Sequence, residues 1–132
     1  SSYMRDDHVL DDALPLSVPV TPSFLLNRNL ARVIEERGLP YRIGVVYTTG
    51  DRNWELAISR KMADLKASRS IGIDMESATV AANGFRYRIP SASLLCISDK
   101  PLHGPPNLPN SANEFYPTTK SPHLHIADTA FS

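Results

Sequence analysis

Apolar and polar positions alternate along this chain so as to divide it into short helices and strands, with irregular, proline-punctuated sequence at either end. Residues 1–22 follow neither period. Asp6, Asp7, Asp11 and Asp12 crowd together, and Pro15, Pro19 and Pro22 exclude a long helix, so this stretch is expected to be an irregular connection. A helix follows: Thr21 can cap it and Pro22 suits its first position. Leu26, Leu30, Val33 and Arg37 recur at helical spacing beside Ile34, and Gly38 and Pro40 end the helix. Residues 41–49 (YRIGVVYTT) are β-branched and aromatic and lie between Pro40 and Gly50, which predicts a strand.

A second helix is expected from Trp54 to Lys66, with Trp54, Ile58, Met62 and Leu65 on one stripe. Residues 70–74 (SIGID) predict a short strand running into a third helix. That helix carries a narrow face of mostly small residues, Ala78, Ala81, Ala82 and Phe85, suited to close packing on a sheet. Residues 91–98 (SASLLCIS) are apolar on both faces and predict a central strand, with Cys96 in the core. The order α-β-α-β-α-β implies an α/β domain with a largely parallel sheet. After Asp99 come Pro101, Pro105, Pro106, Pro109, Pro117 and Pro122, and residues 105–132 are expected to be mostly loop. The organisation is therefore 1–22, then a core at 23–104, then a proline-rich segment at 105–132. Open sheet edges in so small a sheet need cover, which favours part of a larger domain or pairing with another subunit.

Composition narrows the class. The chain has 132 residues, one domain's worth, with 14 Lys and Arg against 14 Asp and Glu. Zero net charge excludes a nucleic-acid binder driven by counterion release. No apolar run approaches the ~18 residues of a membrane span, and the first residues do not show a signal-peptide pattern. The single cysteine fits a reducing compartment, so a cytoplasmic protein without a membrane partner is expected.

Candidate chemistry lies where ligands bind in parallel sheets, beyond the carboxyl ends of strands. Three such ends are present: Thr48-Thr49 with Asp51-Arg52-Asn53-Trp54, then Asp74-Met75-Glu76-Ser77, then Ser98-Asp99-Lys100. Each residue also has a plain structural role open to it. Glu76 can complement a helix dipole, Asp99 can cap a turn, Trp54 can be core, and Arg52 can be a solvated loop charge. His123 and His125 lack a convincing third ligand, which leaves no metal site to argue. No Gly-rich phosphate loop of a common type is present.

The run Ile71-Gly72-Ile73-Asp74-Met75-Glu76-Ser77-Ala78-Thr79-Val80, followed by residues 93–104 (SLLCISDKPLHG), resembles the nucleoside phosphorylase/nucleosidase superfamily. Residues 41–49 with Arg52, Trp54 and Glu55 narrow the likeness to its AMP-hydrolysing members. The resemblance covers about residues 22–104. It implies a partial three-layer α/β/α domain, no cofactor, and hydrolysis of AMP to adenine and ribose 5-phosphate. Phosphorolysis of purine nucleosides is the second enzymatic reading. A non-catalytic remnant that binds nucleotides or only assembles with other subunits is the third.

By the same resemblance Glu76 holds the ribose hydroxyls, Met75 packs on the sugar and Asp99 faces N7 of the purine. Thr48, Thr49 and Trp54 line the base, and Arg52 contacts the phosphate. Cleaving an N-glycosidic bond leaves a cationic sugar and an electron-rich purine, which becomes a neutral leaving group once N7 is protonated. A carboxyl donates that proton near neutral pH only if burial raises its pKa, whereas the ribose ligand works as an anion beside positive charge. Two carboxyls in two environments can thus divide the work.

The superfamily's catalytic domain is longer. Its first half supplies central strands and a Gly-rich phosphate segment, and it closes with a long helix where this chain carries Pro117 and Pro122. Each of those prolines would cost a helix interior roughly 3 kcal/mol. The chain is therefore expected to be an incomplete half of such an enzyme, acting as a homo-oligomer or with a missing N-terminal half, and to release no adenine alone.

Overall fold

The computed structural model describes residues 2–97, 122–123 and 125–130. Two compact units are present, one of Ser1–Phe24 with Arg42–Ser93 and one of Leu25–Tyr41 with Leu94–Ser132.

The first unit is built on three parallel strands in the order β1 (Ser2–Asp6), β2 (Val45–Thr49), β3 (Gly72–Asp74). Register decides which side chains meet. Tyr3 lies beside Val46, Arg5 beside Thr48 and Thr48 beside Asp74, so all of these share one face. Met4 beside Tyr47 and Asp6 beside Thr49 share the other. On the first face packs α3 (Ser77–Tyr87), whose Ala78, Ala81 and Ala82 join Tyr3, Leu14, Val20 and Val46 in the core. Small side chains let the helix backbone sit close to the sheet. On the second face Lys61 of α2 (Ile58–Ser68) lies 5.4 Å from the Tyr47 ring centroid and pairs with Asp6. Helices thus flank the sheet on both sides, a three-layer α/β arrangement.

In the second unit, α1 (Phe24–Glu36, its first residue in the other unit) buries Leu30, Val33 and Ile34 and stops at Gly38, whose φ of +66° suits glycine. Asn29 donates to the Ala130 carbonyl at 3.4 Å.

Several expectations are corrected. Residues 1–22 are not wholly irregular, since 2–6 form edge strand β1. Its alternation is hidden because one inward position is a charge, Arg5. Residues 91–97 form no strand, and Leu95, Cys96 and Ile97 are exposed, so Cys96 is not core. Apolar content made this segment resemble a strand, but a strand also needs a ladder partner, and none is formed here. Instead the Ser91 carbonyl accepts from Ser23 N–H at 2.7 Å, and Ser93 Oγ accepts from the Tyr3 hydroxyl at 3.0 Å. The helix expected from Trp54 begins as a 3-10 turn at Trp54–Ala57 and becomes α-helical at Ile58. Phe85 is 53% exposed, and the buried face runs through Ser77, Ala81 and Gly84 instead. Finally, residues 122–123 and 125–130 are helical. Residues 105–121, 124 and 131–132 of the expected loop lie outside the described residues.

Candidate functional site

The carboxyl ends of β1, β2 and β3 lie side by side, and hydrogen bonds weld them together. Thr48 is fully buried at the end of β2. Its hydroxyl donates to Asp74 Oδ1 at 2.6 Å and accepts from Ala78 N–H at 3.0 Å. The other oxygen of Asp74 accepts from Ser77 N–H at 3.1 Å. Two of the otherwise unpaired N–H groups in the first turn of α3 are thereby satisfied from the sheet.

Thr49 is equally buried. Its Oγ1 accepts from Asp51 N–H at 3.2 Å and lies 3.4 Å from Asp6 Oδ2, while Asp51 Oδ1 accepts from Asn53 N–H at 2.9 Å. These bonds shape the turn that carries Arg52, which is exposed, and Trp54, which is half-buried. Asp7 accepts from the Thr79 hydroxyl and so ties the end of β1 to α3.

Between β3 and α3 stand Met75, half-buried, and Glu76, exposed. Glu76 occupies the N-cap position with φ −131° and ψ −30°, yet makes no side-chain cap bond to α3. One of its oxygens accepts from Met75 N–H at 3.3 Å. A carboxyl side chain is thus presented at the strand ends without being consumed by the helix it precedes.

On the opposite sheet face Asp6 sits among Lys61, Tyr47 and His8. Burial pushes its carboxyl up, but hydrogen bonds from Lys61 and Tyr47 and the charges of Lys61 and His8 outweigh that and hold it below the usual carboxylate range. His8, at φ +56°, pairs with Asp11 at 2.7 Å and lies 3.7 Å from Asp6. Its hydrogen bond to Asp11 raises its pKa. Among the described residues, no group of three or more His, Cys, Asp or Glu side chains is arranged to hold a metal ion.

The structure therefore brings Thr48, Thr49, Arg52, Trp54, Met75 and Glu76 to the strand ends of one sheet. Asp99 lies outside the described residues. The Asp6–Lys61 pair was not found from the sequence. Its only signal was the crowding of Asp6, Asp7, Asp11 and Asp12, which identifies no partner for any of them.

A parallel sheet flanked by helices, with a Met-Glu pair between a strand and a small-residue helix, defines a class. The sequence matches the Phosphorylase superfamily across residues 2–124, and the chain belongs to that family. Within it, the chain is 47% identical to AMP nucleosidase of Escherichia coli (strain K12) over 133 aligned positions, covering 95% of this chain and 28% of that protein. The crystal structure of AMP nucleosidase from Bacteroides thetaiotaomicron superposes with a TM-score of 0.75 at 33% identity, covering 98% of this chain and 48% of the other. This chain thus spans under a third of the curated relative and about half of the solved structure.

Proposed function

We propose that the chain forms part of the nucleotide site of an enzyme that hydrolyses AMP to adenine and ribose 5-phosphate. The observation that carries this reading is the 47% identity to an AMP nucleosidase over 95% of the chain. The placement of Met75 and Glu76 at the end of β3 supports it.

In this reading the Glu76 carboxylate accepts hydrogen bonds from the ribose hydroxyls and offsets the positive charge that develops on the sugar. Met75 packs against the sugar. Asp99 delivers a proton to N7 as the C1′–N9 bond breaks and its electron pair stays with the purine; water then bonds to C1′ and gives up one proton, which balances the one delivered to N7. Trp54 and the turn beginning at Thr49 border the base, and Arg52 reaches the 5′-phosphate. The substrate is a purine nucleotide of the cytoplasm, no cofactor takes part, and the working form is an assembly.

The test is a chimera in which this chain replaces the matching segment of the E. coli relative. Adenine release from AMP is expected. Asp99→Asn is expected to lower turnover by about 10²–10⁴-fold while AMP still binds, the usual range for losing a general acid. A folded chimera that releases no adenine, or an undiminished Asp99→Asn variant, would contradict the reading. Strictly phosphate-dependent release, with ribose 1-phosphate formed from adenosine, would point to a phosphorylase.

A further inference from the structure

We propose that Thr48 and Asp74 are positioning residues for Glu76, and that their latch sets how well the site recognises the 2′-hydroxyl of the sugar. The inference rests on the reading of Glu76 as the ribose ligand.

Three facts carry it. The Thr48 hydroxyl has one proton to donate and two acceptor lone pairs. The proton goes to Asp74 at 2.6 Å and one lone pair accepts from Ala78 N–H at 3.0 Å. With its proton committed inside the fold and its side chain fully buried, Thr48 has no donor to offer a base. Next, both Asp74 oxygens are engaged, one by Thr48 and one by Ser77 N–H at 3.1 Å. The latch therefore joins β2, β3 and the first turn of α3 at one point, two residues before and one to two residues after Glu76. Finally, Glu76 makes no side-chain cap bond of its own. The backbone conformation that aims its carboxylate is fixed by its neighbours, and those neighbours are held by the latch. A carboxylate that must meet a hydroxyl at hydrogen-bonding distance loses most of its advantage when it shifts by about 1 Å.

The experiment compares binding of AMP and 2′-deoxy-AMP by the chimera described above, taken as the wild type, and by its variants, with amide hydrogen exchange on the same samples. The wild type is expected to prefer AMP. Thr48→Val, which keeps the shape and removes the hydroxyl, is expected to reduce that preference roughly tenfold, as for one lost charge-assisted hydrogen bond. The Ser77 and Ala78 amides should exchange faster in it. Thr48→Ser, which keeps the hydroxyl, should restore both. If Thr48→Val does not fold, Asp74→Asn gives the same test, because an amide has a single acceptor oxygen where the carboxylate has two.

A folded Thr48→Val chain with an unchanged preference overturns the inference while leaving Glu76 as the ribose ligand. A wild type without preference, in which Glu76→Gln also changes nothing, overturns the reading of Glu76 and the inference with it. Faster amide exchange at an unchanged preference shows a purely structural latch and also overturns it.

Discussion

Arg5, on an edge strand, turns its guanidinium inward and donates to the Leu14 carbonyl at 2.7 Å. The same group reaches the Pro15 carbonyl at 3.0 Å and Asp11 at 3.3 Å, with only 4% of its side chain exposed. One planar fork thus organises the segment after β1 and lets Leu14 enter the core. Arg5→Met is expected to destabilise the fold by about 1–3 kcal/mol, because it strands the buried Leu14 carbonyl and unpairs Asp11. Arg5→Lys should recover little, since an ammonium offers its three donors from a single nitrogen and cannot span acceptors reached from the two separate nitrogens of the guanidinium. Urea unfolding of the three proteins checks this, and an Arg5→Met midpoint equal to wild type would refute it.

Gly84 is required by close approach. A Cβ there would lie 2.7 Å from Ser91 Oγ and 2.9 Å from the Ile89 carbonyl. The hydroxyl can rotate away, but the Ile89 carbonyl is backbone, held in the turn in which Ile89 N–H closes α3 on the Gly84 carbonyl at 2.8 Å. Alanine gains about 1 kcal/mol in helix propensity, yet overpacking costs about 1–3 kcal/mol. Gly84→Ala is expected to lower the thermal midpoint.

These two positions mark what was legible. Helix α1, the core of β2, β3 and the Ala78-Ala81-Ala82 face followed from period, although α1 starts at Phe24 and not at the Pro22 that the punctuation marked. So did the strand-end placement of Met75 and Glu76. Strand β1 was hidden by Arg5, whose charge breaks the apolar alternation although the residue is buried. Residues 91–97 misled in the other direction, because apolar composition signals burial but not a hydrogen-bonding partner. The commitment of Thr48 to Asp74 depends on strand register, which no local pattern carries.

The Asp6 cluster gives a pH dependence of stability. The Asp6 carboxyl lies below its ordinary 3.8, so its contribution is complete above that value and is lost as pH falls through the lower folded value. His8 is raised above 6.5, so its contribution is complete below that value and fades as pH rises through the folded one. Stability from this cluster should be greatest between 3.8 and 6.5. Lys61→Met removes the largest favourable partner of Asp6 and should cost about 1 kcal/mol at neutral pH, discounted for partial exposure. Its thermal midpoint should also depend less on pH in the acid range. Parallel pH profiles for Lys61→Met and wild type would contradict the pairing.

Arg52 lies exposed on the turn after β2, a turn shaped by the bonds of Thr49 to Asp51 N–H and of Asp51 to Asn53 N–H. If it meets the 5′-phosphate, Arg52→Ala should weaken AMP binding about tenfold, the usual value of a charge-assisted contact, and leave adenosine binding unchanged. Equal loss for both ligands would assign Arg52 to folding or to the base.

The central claim is that nucleotide binds across the carboxyl ends of β2 and β3. The direct measurement is a titration of the ¹⁵N-labelled chain with AMP, followed amide by amide. Saturable shifts are predicted at residues 49–54 and 75–78, with those at 75–78 reduced in Glu76→Gln. Saturable shifts confined to other surfaces, or a Glu76→Gln titration identical to wild type, would contradict it.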